Sequence, residues 1–421
     1  MSTGEVAHII GRKALEELRK PTGQARGLPG IAYTSEELLR LEHDKLFARV
    51  WVHAGFSHEL SRPGDTTLAT VAGKPLILVR SPGGEIKAFY NSCRHRGAQI
   101  CKRNARGRKN FICPYHAWSY DLDGRLLETP NFSGRDKNDV GGRDVKALGL
   151  HPVRCAQWHK WVFVNLDGKA PPLEDYMKPF TDRLRGYDFD VLEHGGTFTF
   201  DIETNWKLVQ ENWNEGLHVL TIHPTLNSAE PYYEHGNVLD GAYLGTVVDA
   251  GLDVSAAKIR LSLFPDPPQG TTFEEQQAQD FKTGYNNINL FPNFKFVAGP
   301  NHATSGSEYA LGPNLVRQRW DVFFVGEAAR RPEYGPARAE VIDFYAQTFK
   351  EDKAILEALQ KGHRAQREGG IFAPTWEGTV HHFQRLVIEC LTSKRQPFTG
   401  PQRRYTKRTR HGGKTSWGRS I

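Results

Sequence analysis

The chain has 421 residues, enough for two or three domains with a sizeable core. Its formal charge of +7 is modest for that length, and its five cysteines (Cys93, Cys101, Cys113, Cys155, Cys390) are too few, and odd in number, for a disulfide framework. The longest apolar runs, Pro75–Val79 and Trp161–Leu166, fall far short of a membrane span, and the N-terminal stretch with Glu5, Glu16 and Glu17 lacks the apolar core of a secretory signal. A cytoplasmic protein with no membrane partner is expected.

Residues 1–46 read as a helical segment, with helix-like apolar spacing in Ala14–Arg19 and again from Ser35 to Arg49. From 47 to 167 the texture changes to short strands at Thr66–Val71, Leu76–Arg80 and Ile86–Tyr90, with turns at Pro82-Gly83-Gly84 and Asp121-Leu122-Asp123-Gly124. Trp161–Asn165 closes this all-β unit. After Pro171-Pro172, residues 168–421 mix helix and strand: helices are predicted over Trp206–Leu220 and Ala337–Arg364, and a strand over Val322–Val325. The expected fold class is therefore α+β, a small all-β domain followed by a larger one on which the N-terminal segment packs. A basic tail from Arg403 to Arg419 includes Tyr405 and Trp417, but no nucleic-acid module accompanies it and no nucleic-acid partner is expected.

Two constellations carry chemistry. The first is Cys93-Arg94-His95, seventeen residues, then Cys113-Pro114-Tyr115-His116. Each half offers a thiolate and an imidazole within a tight loop. Zinc would take all four as one tetrahedron, whereas a Rieske [2Fe–2S] centre would place the cysteines on one iron and the histidines on the other. Cys101, Cys155 and Cys390 match no ligand position and read as packed or free thiols.

The second runs from Asn205-Trp206-Lys207 through Glu211-Asn212 and Glu215 to His218 and His223-Pro224. On a helix Asn212, Glu215 and His218 share a face. His223 would point roughly 140° away from His218 on an unbroken helix, and Pro224 predicts that the helix has ended there and lets the chain turn back. Two histidines and one carboxylate on one face of Fe(II), with other positions open, is the arrangement that O2 activation needs.

Taken together, Cys93-Arg-His-Arg-Gly97, Cys113-Pro-Tyr-His-Ala-Trp118 and the string from Asn205 to His223 resemble the Rieske non-haem iron oxygenases, the α-subunit family of ring-hydroxylating oxygenases. The resemblance extends from about Phe47 to Lys394. It implies a Rieske domain joined to a catalytic domain with an antiparallel sheet covered by helices, and a [2Fe–2S] cluster on Cys93, His95, Cys113 and His116. It further implies a mononuclear Fe(II) on His218, His223 and a downstream carboxylate. Asp352 matches that carboxylate, with Asp343 and Glu351 as fallbacks.

The implied activity is that of a terminal oxygenase, which uses O2 and electrons from a ferredoxin or flavin reductase to hydroxylate a small organic, aromatic substrate. A homotrimer is implied by the same resemblance, with or without small β subunits. Asn212 and Glu215 are its catalytic candidates, Glu215 linking His218 to a Rieske histidine of the neighbouring subunit, His116 or His95. Many members have Asp at the Glu215 position and an aromatic residue where Leu217 stands. The Glu form resembles a branch of quaternary-ammonium monooxygenases and demethylases, so oxidation of a methylated amine is the alternative. Asn212, Trp213, Leu217 and Phe294 are nominated for the pocket. A Rieske electron carrier would need only the β domain, and a zinc-binding module would be colourless as purified. Arg94, Arg96, Lys102, Arg103, Arg106, Arg108 and Lys109 crowd cations around the first constellation and suit an acidic electron donor.

Overall fold

The computed structural model describes residues 2–184, 188–223, 235–240, 243–248, 286–298, 302–325 and 330–398; Pro224 and the basic tail lie outside them. The chain opens on α1 (Ser2–Ile10), α2 (Arg12–Leu18), α3 (Ile31–Thr34) and α4 (Glu36–Glu42). Ser35 caps α4 by accepting the Leu38 N–H at 3.1 Å, satisfying one of the open donors of a helix start. Their apolar faces, with Val6, Leu15, Leu18, Tyr33 and Leu38, join the main core.

Strands β1 (Val52–Phe56), β2 (Thr66–Val71), β3 (Lys74–Arg80) and β4 (Ile86–Tyr90) come next. The short β5 (Phe111–Ile112), β6 (Ser119–Tyr120) and β7 (Leu126–Glu128) precede β8 (Pro152–Trp158) and β9 (Trp161–Asn165). The longer strands form one six-stranded sheet in the order β1-β9-β8-β4-β3-β2, and β5-β6-β7 form a separate small one. Every pairing is antiparallel, and the neighbours β2-β3, β3-β4, β5-β6, β6-β7 and β8-β9 are consecutive in the chain.

Helix α5 (Leu173–Arg183) leads into the second unit. Strands β10 (Leu192–Ile202), β11 (His235–Asp240), β12 (Tyr243–Val248), β13 (Asn286–Leu290), β14 (Phe294–Ala298), β15 (His302–Gly312) and β16 (Leu315–Val325) make a seven-stranded antiparallel sheet. Its helices are α6 (Trp206–Trp213), α7 (Val219–Ile222), α8 (Gly335–His363) and α9 (Gly378–Thr392). The architecture is α+β. The predicted strand at Val322–Val325 extends back to Leu315, because Val316, Gln318 and Trp320 point inward while Arg317 and Arg319 alternate with them. Charged residues with a period of two mark a half-exposed strand, not a loop.

The two large sheets share one apolar junction. Trp161 of β9 is fully buried, its ring 5.9, 5.5 and 5.4 Å from those of Phe294, Phe296 and Phe323, and its Nε1–H donates to Ser305 at 2.9 Å. Truncating a tryptophan so placed costs about 3–5 kcal/mol. Phe294, expected from the sequence to line the pocket, belongs to this junction instead: its neighbours are His53, Trp161, Phe163 and Phe180.

His53 of β1 is sealed in the same junction, its N–H donating to Asn293 at 3.0 Å and its Nδ1 lying 2.5 Å from the Ser307 hydroxyl. Burial, with the Arg319 charge nearby, pushes its pKa from 6.5 down to about 3. Below about 6.5 the unfolded chain takes up a proton that the folded chain refuses. The stability due to neutral His53 is therefore complete above that pH and declines by about 1.4 kcal/mol per pH unit on acidification toward 3. Urea midpoints should fall between pH 7 and pH 5 in the wild type and fall less in His53→Asn. Parallel profiles would contradict this assignment.

Candidate metal centres

The first centre begins with α6, an unusual helix because it buries polar groups. Asn205 caps it, accepting the Lys207 N–H at 3.1 Å. Lys207 is 1% exposed and its Nζ lies 2.6 Å from the equally buried Glu42, whose other oxygen accepts the Trp206 Nε1–H at 2.7 Å. One turn on, Gln210 donates to Glu308 at 2.7 Å. Glu211 accepts from the Tyr33 hydroxyl at 2.8 Å, and burial pushes its carboxyl up to about 7. Such groups stay inside only because each has a partner.

The helix ends at Trp213 rather than running to Leu220. Asn214 turns away, its side-chain oxygen accepting from Asn289 at 3.2 Å and its carbonyl accepting from Thr379, and Gly216 comes two residues later. Glycine and asparagine are weak helix formers, and these tertiary bonds outweigh the remaining helical ones. The break thus precedes His218, which occupies the N-cap position of the short α7, and His223 ends α7 in a non-helical conformation. Asn212, Glu215 and His218 therefore do not share one helical face. The turn folds Glu215 back onto His218, accepting its backbone N–H at 3.1 Å and its Nδ1–H at 2.5 Å.

Helix α8 supplies the other wall. Asp352 Oδ1 lies 3.1 Å from His223 Nε2 and 3.6 Å from His218 Nε2, and Asn212 Nδ2 is 3.5 Å from the latter. One ligand atom each from His218, His223 and Asp352 falls within 4.8 Å of the others. Asp352 Oδ1 is buried and takes no well-formed hydrogen bond. Three donor atoms aimed at one space, one of them an orphaned carboxylate oxygen, fit a divalent iron with open positions. Burial disfavours charge on His223, but Asp352 and Glu351 raise its pKa above the ordinary imidazole value. The fallback Glu351 turns instead to His223 Nδ1 at 2.9 Å, and the fallback Asp343 is exposed on α8 away from the cluster.

Beside this space Trp213 packs on Trp320 and Phe349 at 5.2 and 5.8 Å, and Trp320 stacks on Phe349 at 3.9 Å. Gly306 permits that stack, since a Cβ there would come within 2.6 Å of the Trp320 ring. Buried Lys295, paired with Glu308, holds its ammonium 4.9 Å from the Trp213 ring. Asn212, Trp213, Lys295, Trp320, Phe349 and Asp352 line one small cavity, while Leu217 is exposed. The sequence reading overlooked Lys295, although a lone lysine within Phe294–Ala298 breaks an otherwise apolar strand. Trp320 and Phe349 carried no local signal.

The second centre sits on two matching loops. Gly97, at φ +74°, lets its N–H reach the Cys93 carbonyl at 2.9 Å, and Ala117 N–H reaches the Cys113 carbonyl at 3.1 Å. The Cys93 and Cys113 thiols are buried and close enough to interact, and Tyr120 OH lies 3.3 Å from Cys93 Sγ. Desolvation raises the Cys93 pKa. His95 and His116 face each other through Nδ1 at 3.1 Å, backed by Trp118 and Tyr115. Paired thiols inside and paired imidazoles at the rim suit two irons rather than one tetrahedral ion. Of the remaining cysteines, Cys101 and Cys390 are buried and Cys155 partly so, with desolvation raising all three pKa values.

Among the described residues His58, His194 and Asp321 also approach within 4.8 Å. Their geometry opposes a metal. The two rings stack at 4.0 Å and 19°, so their in-plane lone pairs run parallel, and Arg319 already forks onto Asp321 at 2.8 and 3.0 Å. This is a charge network between the sheets.

Two family models match the chain. Residues 50–145 match the family model of the Rieske [2Fe-2S] domain, and residues 189–393 that of the ring-hydroxylating α subunit catalytic domain. The chain belongs to the Rieske non-haem iron oxygenases. Its cofactors are accordingly a Rieske [2Fe–2S] cluster and a mononuclear iron, and it is an oxygenase terminal subunit. The carnitine monooxygenase oxygenase subunit of Acinetobacter baumannii is 25% identical over 86% of this chain and 94% of its own. The anthranilate 1,2-dioxygenase large subunit of Acinetobacter baylyi is 30% identical over 63% and 62%. In fold the chain is similar to a quaternary ammonium Rieske monooxygenase (TM-score 0.72, 22% identity, 89% and 98% covered). It is equally similar to naphthalene 1,2-dioxygenase from Rhodococcus (TM-score 0.73, 18% identity, 94% and 100% covered). No helix among the described residues is long and apolar enough to cross a membrane.

Asp352→Ala should remove about one iron per chain and leave the visible cluster spectrum unchanged, because the two centres share no residue. Iron retained in that variant, and lost in Asp343→Ala, would reassign the third ligand.

Proposed function

We propose that this oxygenase inserts one oxygen atom into a C–H bond beside the nitrogen of a methylated amine or quaternary ammonium compound. The hydroxylated carbon then releases nitrogen as an amine and leaves an aldehyde. The other oxygen atom becomes water, with two electrons and two protons supplied from outside. The observation that carries this reading is Glu215, which replaces the aspartate of many arene dioxygenases, taken with similarity to carnitine monooxygenase along nearly the whole chain. A second reading, oxidation of an aromatic acid, rests on the Lys295 ammonium. It lies 4.9 and 5.9 Å from the Trp213 and Trp320 rings, so these faces already hold a cation. Partial similarity to anthranilate dioxygenase supports the same reading.

In this scheme residues 1–46 pack on the catalytic domain, 47–167 form the Rieske domain and 168–421 the catalytic domain of a cytoplasmic homotrimer. Cys93, Cys113, His95 and His116 would hold the cluster, and His218, His223 and Asp352 the iron. These groups supply electron storage and O2 activation when bound. The chain's part is to orient and enclose: Glu215 holds Nδ1–H of His218, Asn212 stands beside the iron space, and Trp213, Trp320 and Phe349 exclude water. A ferredoxin or flavin reductase with an acidic face would dock on the exposed Arg96, Lys102, Arg103 and Lys109. Arg94 is half-buried and bound to the Ala147 carbonyl, and Arg106, though exposed, is paired with Asp65.

Supplied with a surrogate reductase, the enzyme should couple O2 uptake to aldehyde release from trimethylammonium substrates and ignore benzoates and anthranilates. Added salt, or glutamate at Lys102, Arg103 and Lys109, should slow its reduction. Coupled turnover with aromatic acids alone would favour the second reading.

Glu215→Gln tests the electron link. The amide keeps size and hydrogen bonding but removes the charge that orients His218 and, across the subunit boundary, His116 or His95. Both centres should fill normally, while reoxidation of the pre-reduced cluster by O2 with substrate slows at least a hundredfold. Wild-type reoxidation with normal iron content would make Glu215 a structural carboxylate only.

A further inference from the structure

Each of the two histidines facing Asp352 has a carboxylate behind it, but the two supports are built differently. Glu215 reaches His218 within an irregular turn. Glu351 reaches His223 from α8, the same helix that carries Asp352, and neighbouring residues on a helix point about 100° apart. The His223 ring fits across that angle: its Nδ1 meets Glu351 Oε2 at 2.9 Å and its Nε2 meets Asp352 Oδ1 at 3.1 Å. His223 is 4% exposed at its side chain and Glu351 only 11%, so water is a poor substitute for either contact.

We propose that Glu351 is the positioning residue for His223, an inference that rests on reading His218, His223 and Asp352 as the iron site. The carboxylate accepts the Nδ1–H and so selects the tautomer in which Nε2 keeps its lone pair. It also fixes the ring plane, directing that lone pair at the space shared with His218 Nε2 and Asp352 Oδ1. Its negative charge makes the imidazole a stronger donor toward a divalent cation. One rigid helix thereby supplies both an inner ligand and the support of another, so the separation between Asp352 and His223 is set by helix geometry. The His218 side of the site rests instead on the irregular stretch 214–218, which Asn289 and Thr379 anchor at Asn214.

The test is ferrous affinity, measured apart from turnover. Holoenzyme is dialysed against chelator-buffered Fe(II) at graded free concentrations, and mononuclear iron per chain is counted with the cluster absorbance as internal control. Glu351→Ala should weaken iron retention by about 10–100-fold, the usual effect of losing such an outer partner. Glu351→Gln, which can still accept the Nδ1–H but lacks the charge, should fall between alanine and wild type. That graded order is not expected of a residue needed only for folding, and Glu351→Gln decides the matter if the alanine variant does not fold. Iron affinity equal to wild type in Glu351→Gln and Glu351→Ala overturns the proposal, as does equal loss in both with a lowered melting temperature. Asp352→Ala separates the two levels: iron lost there but unchanged in the Glu351 variants refutes the positioning role alone. Iron unchanged in all three refutes the site itself.

Discussion

Helix α6 buries a lysine and a glutamine, and the need to pair them organises the catalytic unit around it. Lys207 requires Glu42 from the N-terminal segment, and Gln210 requires Glu308 from the sheet. Removing one member of a buried ion pair costs about 3–5 kcal/mol, more than most single apolar contacts contribute, so these bonds hold the helix in one register. The N-terminal segment is thereby a structural part of the site, since Glu42 and Tyr33 both grip the helix that ends beside it.

The path of the chain beyond α6 depends on that grip. A helix anchored so firmly cannot rotate to bring His218 and His223 around, so the chain breaks at Asn214 and turns. The break is itself stabilised from outside, by Asn289 of β13 and Thr379 of α9. Glu215 then lies where its two oxygens can serve the backbone and the ring of the same histidine. The opposite wall, α8, passes close enough for consecutive carboxylates to meet His223.

The other centre depends on much shorter-range forces. Each loop closes on itself through backbone hydrogen bonds from Gly97 to Cys93 and from Ala117 to Cys113, with Trp118 and Tyr120 packed beneath. Distant segments contribute little to its geometry. They matter instead for its location, because β1 and β9 pack through Trp161 and His53 onto the catalytic sheet and so tie the two units together.

This division of ranges explains what could be read from the chain alone. Family, cofactors and fold class were legible because the cysteine and histidine loops and the Asn205–His223 string are contiguous, and ligand chemistry restricts residue types at short spacing. The strands flanking Pro82-Gly83-Gly84 were legible for the same reason, turn chemistry being local. Tertiary structure decided the rest. The end of α6 was hidden because Asn214 is held by residues far away in sequence, and helix propensity cannot register them. Phe294 belongs to the inter-sheet junction and Lys295, its neighbour, to the cavity wall, since successive strand residues face opposite sides and only the assembled sheets show which side is which. Glu351 and Asp352 are adjacent acids on one helix, indistinguishable by spacing. Which oxygen meets Nδ1 and which meets Nε2 depends on where α8 crosses His223, and that crossing is set by the packing of the whole domain.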